Sequence, residues 1–328
     1  MAASPSNRRD RDFPELPFGD WKDTQETLHR WLQIVGKVRM ALSPMENHWW
    51  QVALYVTPRG LTTSPMPAAG GSLSIDFDFL SHTLNLLTSR GEQIQMELSS
   101  RSVAEFFRDV MASLRQLGVE VEIHQVPQEI EGDLTAFGAD IRHATYDPAA
   151  VERWFRALVQ VDLALRRFRA PYTGKSSPVH FFWGSADLAL TRFSGRVAPS
   201  RRAEGAVVAE AYAEEVFSTG FWHGTAELGE ASLYAYATPE PRGFSDSAQD
   251  LPAGATYSQQ LGEYLLPWSR VCAADDPRGV MQSFFNATYE AAARLGRWER
   301  HRLERPFLAQ PPQQEPAPAD APPPHVDA

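Results

Sequence analysis

Two stretches of the sequence look like copies of one another, and a duplication constrains the fold more than any other feature of this chain. Each stretch is a predicted helix followed by a string that opens with histidine and aromatic residues. The string reads Asn47-His48-Trp49-Trp50 in the first half and His180-Phe181-Phe182-Trp183 in the second. A duplicated chain brings equivalent elements together about a pseudo-two-fold axis. The sequence therefore predicts a site in the groove where the two halves meet.

Residues of the predicted helices repeat in the same order. Trp31 and Trp154 lie in the two helices that precede the strings, and Phe106-Phe107 and Phe284-Phe285 occupy matching places in two later helices. A shared order across several elements favours an internal duplication. The alternative is chance similarity, because amphipathic helices of similar composition align easily.

The composition indicates a globular chain with a large core. Of its 328 residues, 43% are hydrophobic and 11% are aromatic, which is ample for one or two domains. Cys272 is the single cysteine, so an intramolecular disulfide and any site built from several cysteines are excluded, and a reducing cytoplasm is the expected location. No signal-peptide core and no apolar run of roughly 18 residues is found. We therefore expect neither secretion nor a membrane partner.

The charge argues against nucleic acid as a partner. A formal net charge of −10 opposes binding to phosphate backbones, which depends on lysine and arginine. Gly174-Lys175-Ser176 resembles the end of a phosphate-binding loop, but the upstream glycine is missing and the segment leads into a predicted strand. No calcium-loop pattern or helical zinc spacing occurs. The sequence predicts no metal and no cofactor.

Hydrophobic periodicity predicts both helices and strands. Apolar residues recur at helical spacing over 20–42, 102–117 and 147–169, and in a last helix that ends at Leu295. Alternating patterns predict strands, of which the segment from Leu73 to Phe79 is the clearest. Further strands are predicted from His48 to Thr57 and from Val119 to Val126. Short turns between the strands favour antiparallel pairing. The predicted fold class is α+β, with two similar halves that each contain mainly antiparallel strands and flanking helices.

The same patterns divide the chain into segments. A stretch rich in proline, alanine and acidic residues cannot bury enough apolar surface to offset the entropy of ordering. The predicted segments are a disordered N-terminus over 1–12, a first α+β half over 13–130, a connector over 131–146, a second α+β half over 147–305 and a disordered tail over 306–328.

Several strings resemble those of a known family. They are Asn47-His48-Trp49-Trp50, the segment 54–63 with its Arg59-Gly60-Leu61-Thr62-Thr63, and Gly174-Lys175 followed by Ser177 to Gly184. The chain resembles an uncharacterised bacterial family that is known only as a domain of unknown function, and the likeness runs from about Phe13 to Arg300. The resemblance implies a bacterial cytosolic protein. It implies no activity and no residue roles.

Two histidines are the candidate catalytic residues. If the halves pair about a pseudo-axis, His48 and His180 approach each other and supply an acid/base pair, with Asp187 orienting an imidazole. In a strand, His180 and Phe182 point to one side, and His48 and Trp50 share a face by the same logic. The alternative is that each histidine is a packing residue beside aromatic rings.

Basic and aromatic side chains near the same strings are the candidate ligand-binding residues. Arg59, Lys175 and Arg192 would hold an anion in an otherwise acidic protein. Aromatic residues interleaved with basic side chains line pockets for planar ligands, although most form core. The full set of predicted binding residues is Asn47, Trp50, Arg59, Lys175, Trp183 and Arg192.

Two functions follow from these residues. The first is a cytosolic protein that binds a small polar or anionic ligand near the junction of its halves, with histidine-based acid/base chemistry if it is an enzyme. The second is a non-catalytic interaction module that recruits a protein partner through an aromatic surface. The first requires the histidines and basic residues to share a cavity. The second requires exposed aromatic rings.

Overall fold

The computed structural model of the chain describes residues 12–68, 70–130 and 132–305. The segments predicted to be disordered, 1–12 and 306–328, lie outside these residues apart from Asp12. No helix among the described residues is both long and apolar enough to cross a bilayer.

Helices begin and end close to the predicted boundaries. Asp147 and Asp276 accept hydrogen bonds from the backbone amides of Ala149 and Gly279, which caps the two helices that start with proline. Ser102 and Glu105 form a capping box. The α-helices are α1 Lys22–Leu42, α2 Val103–Gln116, α3 Pro148–Arg169, α4 Ala206–Ala211, α5 Trp268–Ala273, α6 Pro277–Leu295 and α7 Arg300–Leu303. The 3-10 helices are Phe18–Asp20, Asn47–Val52, Phe137–Ala139, Arg202–Glu204 and Phe244–Asp246.

The strands form two sheets. The first contains β1 Tyr55–Val56, β2 Gly60–Thr62, β3 Met66–Ala68, β4 Gly71–Asp78, β5 Thr83–Thr88 and β6 Gln93–Glu97. The second contains β7 His180–Phe182, β8 Asp187–Val197, β9 Glu214–Trp222, β10 Ser232–Thr238, β11 Thr256–Ser258 and β12 Glu263–Pro267. Within the described residues the strand order of the first sheet is β1-β2-β4-β5-β6, with β3 paired to β4. The strand order of the second sheet is β11-β12-β10-β9-β8-β7. Their strand pairs are antiparallel, so the α+β class is confirmed.

Each half follows the order helix, strands, helix, as a duplication would give. The two aromatic strings nevertheless adopt different structures, because Asn47–Val52 is a 3-10 helix whereas His180–Phe182 is strand β7. The common order is compatible with duplication without demonstrating it. The duplication stays a prediction.

The strand predicted to start at His48 is wrong over its first residues. His48 and Trp49 have φ values of 56° and 61°, in the left-handed region that is incompatible with an extended strand. Strand β1 begins only at Tyr55, and its hairpin with β2 is confirmed. The alternation expected for His48 and Trp50 therefore does not apply.

The strand predicted from Val119 to Val126 is also absent among the described residues. The buried side chain of Lys37 donates to the carbonyl groups of His124 and Val126, at 3.0 and 2.7 Å. These carbonyls are bonded by a lysine of α1 rather than by a neighbouring strand. A long-range side-chain contact has replaced the sheet pairing that the local pattern favours.

The two sheets meet at their edges. Leu54 and Phe181 exchange two backbone hydrogen bonds of 2.9 Å each, which joins the start of β1 to β7. On the first sheet, Trp31 of α1 stacks on Phe106 of α2, with ring centroids 4.6 Å apart. On the second sheet, helices α3 and α6 cover one face, where Phe217 meets the ring of Tyr289 at 5.5 Å. The opposite face of the second sheet is not covered by these helices.

Helix α1 passes very close to the loop that follows β7. A Cβ atom placed on Gly36 would lie 2.2 Å from ring atoms of Trp183. The indole cannot retreat easily, because it is buried and its Nε1 donates to the carbonyl of Val52 at 2.9 Å. Only glycine fits at this point of the helix.

We expect Gly36→Ala to destabilise the protein by about 1–3 kcal/mol through overpacking. A loss of stability would be informative, because alanine in a helix interior is otherwise favoured over glycine by about 1 kcal/mol. Urea unfolding measures the change in the free energy of unfolding. Gly19→Ala is the matched control, since no atom lies within 4 Å of a Cβ added there. A Gly36→Ala variant as stable as the control would contradict this account of the contact.

Candidate functional site

A pocket of about 540 Å³ lies on the outer face of the second sheet. Residues from both predicted halves line it, since the Asn47–Val52 turn and Glu129 of the segment after α2 reach over the sheet. We call it the Asp187 pocket. Its lining residues are His48, Trp49, Trp50, Val52, Glu129, Phe182, Trp183, Gly184, Ser185, Asp187, Ala189, Thr191, Phe193, Val207, Val208, Ala211, Tyr212, Val216, Ser218, Trp222, Tyr234, Tyr236, Leu261 and Glu263.

Strand alternation builds the floor of the pocket. On β8, Asp187 and every second residue up to Phe193 face the pocket, while the residues between them face α3 and the core. On β10, Tyr234 and Tyr236 face the pocket, and Leu233 is part of the core on the other side. Ala189, Tyr234 and Leu265 form a small apolar cluster on this face of the sheet. The floor is therefore rigid sheet rather than loop.

Asp187 is the most deeply placed acid of the pocket. Only 8% of it is exposed, and its carboxylate oxygens accept short hydrogen bonds from the hydroxyl groups of Ser185 and Tyr234. Burial raises the pKa of Asp187, and the two hydroxyl donors act in the opposite direction. The register of β8 with β9 and β10 holds all three groups in place.

Glu129 enters the pocket from the irregular segment after α2. Its φ of 55° is a strained value for a residue other than glycine. A Cβ on Gly184 would lie 2.4 Å from a Glu129 carboxylate oxygen, so Gly184 leaves the space that this side chain occupies. Gln33 of α1 fixes the preceding residue, because it accepts from the Gln128 amide at 2.8 Å and donates to its carbonyl at 2.6 Å.

The Glu129 side chain lies at the mouth of the pocket. The residue as a whole is exposed by surface area, yet enough protein surrounds its carboxyl group that burial raises the pKa of Glu129, with a further contribution from Asp187. Among the described residues it has no ion-pair or hydrogen-bond partner.

Glu263 is the third acid, at the start of β12. Burial, together with the nearby charge of Asp187, raises the pKa of Glu263 to about 7. In the described part of the chain no side chain is paired with its carboxyl group. At neutral pH this group therefore exchanges a proton readily.

Aromatic rings form the walls. Tyr234 and Tyr236 stack on the floor with centroids 6.1 Å apart. Trp183, which packs against Gly36 of α1, lines the pocket. Trp222, the last residue of β9, lines it as well. Burial raises the pKa values of Tyr234 and Tyr236 well above the usual range, so both phenols remain protonated donors.

A short flap covers one side of the pocket. It consists of residues 198–213, between β8 and β9, and contains α4. Val207, Val208 and Ala211 of the flap line the pocket. Tyr212 at its end hydrogen-bonds to the hydroxyl of Tyr236 at 2.9 Å. The flap is therefore tied to the floor of the pocket.

His48 fastens the flap to the Asn47–Val52 turn. Its Nδ1 lies 3.1 and 3.2 Å from the carbonyl oxygens of Glu210 and Ala211, so Nδ1 is the protonated nitrogen. Its Nε2 lies 2.6 Å from the Lys175 ammonium, which can only donate. Both nitrogens of the imidazole are thus engaged in protein contacts.

His180 does not line the pocket. It is 1% exposed and packs among the rings of Trp50, Tyr55 and Phe182, at centroid distances of 5.3 to 5.7 Å. Burial lowers the pKa of His180 to about 3, so the ring is neutral. Trp50 contacts both His48 and His180, and the two imidazoles do not share a cavity.

The predicted anion-binding residues lie elsewhere. Arg59 is an exposed residue that pairs with Asp78. Arg192 lies on the core side of β8, 3.5 Å over the ring centroid of Phe168, where burial lowers its pKa to about 10. Lys175 pairs with Glu214 and His48 behind the pocket wall.

The remaining candidate residues from the sequence are of two kinds, those that line the pocket and those that do not. Trp50, Trp183 and Asp187 line the pocket, and Asn47 does not. Within the described residues no group of three or more histidine, cysteine or acidic side chains is arranged to hold a metal ion.

Sequence reasoning missed Glu129 and Glu263. Glu129 lies between the strand predicted from Val119 to Val126 and the connector predicted over 131–146, and its position depends on contacts with α1 and Gly184. Glu263 starts a short strand in a region where no strand was predicted. Neither residue has a clear signal in the local sequence, because β12 reads Glu-Tyr-Leu-Leu-Pro with three consecutive buried residues and no alternation.

Comparison with known proteins gives one match. The family model described as "Family of unknown function (DUF5996)" covers residues 13–305. This confirms the resemblance found in the aromatic strings. No curated protein and no solved structure matches the chain.

We expect Glu263 to make stability depend on pH. A carboxyl group whose pKa is raised by folding binds more protons in the folded than in the unfolded state between about pH 4.5 and 7, so its contribution to stability falls as pH rises through that window. Glu263→Gln removes this decline. The difference in free energy of unfolding between variant and parent, measured by urea titration, should grow from pH 4.5 to 7 and then level off. Glu122→Gln, at an exposed residue outside the pocket, is the control, and a pH-independent difference for Glu263→Gln would refute this assignment.

Proposed function

The chain belongs to the DUF5996 family of unknown function, and we propose that it binds a small organic cation in the Asp187 pocket. The observation that carries the proposal is the charge of the lining. Among the described residues, the pocket presents the carboxyl groups of Glu129, Asp187 and Glu263 and no lysine or arginine.

Electrostatics supports a positive ligand. Each acid in the pocket has a raised pKa, which means that its ionised form lacks sufficient stabilisation from the surrounding protein. A bound cation supplies the missing opposite charge and lowers those pKa values again. A bound anion would add a like charge to a partly enclosed acidic site, where screening by water is weak.

The aromatic walls support the same ligand class. The faces of indole and phenol rings attract cations, with tryptophan the strongest. Trp222 and Tyr236 line the pocket beside the acids. A pocket of several hundred Å³ is of the size that encloses a small metabolite. Aromatic rings also pack against the hydrocarbon part of an amine, so charge and apolar surface are both accommodated.

This proposal differs from the anionic ligand that the sequence favours. That expectation depended on Arg59, Lys175 and Arg192 converging in one site, and none of the three lines the pocket. Histidine-based proton transfer has no support from the position of His180. We assign His48 to holding the flap, and Asp187 and Glu263 to the ligand.

The alternative of an aromatic interaction surface has less support. The large hydrophobic residues exposed in the described part of the chain are Met45, Leu80, Leu134, Ile141, Leu163, Val197, Val207, Leu228 and Leu261. None of them is aromatic. Because no tryptophan among the described residues is exposed, a partner protein has no aromatic patch to recognise in this part of the molecule.

The test compares ligands of equal size and different charge. Pentylamine, pentanol and pentanoate are titrated at pH 8, where Glu263 is largely ionised, with heat and tryptophan fluorescence as readouts. We expect pentylamine to bind and pentanoate not to bind. Asp187→Asn and Glu263→Gln should each weaken pentylamine binding about tenfold or more, since each removes a charged partner. Asp78→Asn, at an acid paired with Arg59 outside the pocket, is the matched control.

Two outcomes would overturn the proposal. One is tighter binding of pentanoate than of pentylamine. The other is pentylamine binding that the pocket variants leave unchanged while their folding is intact. Circular dichroism and urea unfolding of each variant separate a loss of binding from a loss of structure.

A further inference from the structure

We propose that the ligand of the Asp187 pocket is an aliphatic diamine or polyamine, held at two charged ends by Glu129 at the mouth and by Asp187 with Glu263 inside. This inference deepens the proposed function and depends on it. It assigns a substrate class to the site from the arrangement of its acids.

The acids are spread through the pocket rather than gathered at one point. They come from the irregular segment after α2, from the start of β8 and from the start of β12. No three acidic or histidine side chains among the described residues converge as they would around a single metal ion. A ligand with one compact charge would leave part of this acidic lining without a partner.

Asp187 lies between the other two acids. Glu263 is on β12, which β9 and β10 separate from Asp187 on β8. The Glu129 carboxylate lies beside Gly184, in the turn between β7 and β8, towards the opposite edge of the same sheet. The arrangement is a row that runs from the mouth of the pocket to β12.

The two outer acids are the ones that need partners. Ser185 and Tyr234 already donate to Asp187. Glu129 and Glu263 have no such donors among the described residues. An ammonium group offers three donors and a full positive charge, so one ammonium at each end satisfies both carboxylates.

Glu129 is held in an energetically unfavourable conformation, and a role in binding a ligand explains why. Its left-handed backbone is strained, and its side chain needs Gly184 to be free of a Cβ atom. Gln33 holds the neighbouring residue with two hydrogen bonds. These contacts position a carboxylate at the pocket mouth without giving it any partner of its own.

Aromatic and aliphatic groups occupy the space between the acids. Trp183, Phe182 and Ala189 line the pocket near Asp187. A methylene chain between two ammonium groups packs against such surfaces. A lining that contains both acidic and apolar groups suits a molecule that contains both amines and methylenes.

The experiment measures the affinity of matched amines. The diamines 1,3-diaminopropane, 1,4-diaminobutane, 1,5-diaminopentane and 1,6-diaminohexane are compared at pH 8 with propylamine, butylamine, pentylamine and hexylamine. We expect at least one diamine to bind about tenfold or more tightly than the monoamine of the same length. Spermidine is included as a triamine probe.

Glu129→Gln tests the outer contact. We expect this variant to abolish the advantage of the diamine and to leave the affinity of the monoamine within about twofold. Glu122→Gln, an exposed acid on the same segment that does not line the pocket, is the control and should change neither affinity. The glutamine keeps the size of the side chain, so the packing against Gly184 is preserved.

The outcomes separate the two proposals. If monoamines and diamines bind equally at every length, or if the diamine advantage survives in Glu129→Gln, the diamine inference is overturned and the cation pocket stands. If no amine binds to the folded parent protein, both proposals fail. If the diamine advantage is present in the parent and lost only in Glu129→Gln, the inference holds.

Discussion

The pocket depends on the backbone pairing of Leu54 with Phe181. These two reciprocal hydrogen bonds join sheets that are otherwise separate. Because β1 follows directly from the Asn47–Val52 turn, the pairing places that turn over the outer face of the second sheet. The flap and Glu129 line other sides of the same pocket. The edge contact thus adds one of the covers that turn an antiparallel sheet face into a pocket.

The polar interior of α1 supports the same site. Gln33 and Lys37 are almost fully buried and bind backbone groups of the irregular segment that carries Glu129. Burial lowers the pKa of Lys37 to about 8, so its charged form is held at a cost. A hydrophobic residue at this position would pack without that cost but would leave the carbonyls of the segment unsatisfied. The helix therefore gives up some apolar packing to order a loop that reaches the pocket.

Local patterns predicted the parts of the structure that local forces determine. Alternation found β4, and helical spacing found α1, α2 and α3. The patterns failed at His48, where two left-handed residues and contacts to the flap override strand propensity. They gave no sign of Glu129, whose position is set by residues of α1 and by the loop after β7. Asp187 was identified from its proximity to the aromatic string, although its partners are the hydroxyl groups of Ser185 and Tyr234 rather than imidazoles.

The two sheets differ in whether the acids on their outer faces have partners. The outer face of β4 carries Asp76 and Asp78, and each is already satisfied, by the hydroxyl of Thr62 and the guanidinium of Arg59. On the second sheet the comparable acid, Asp187, is flanked by carboxyl groups that have no such partners among the described residues. If the halves arose by duplication, the first sheet kept a solvated polar face while the second acquired a covered one. Burying unpaired carboxyl groups works against folding, and a cation that neutralises them is the interaction that would offset this cost.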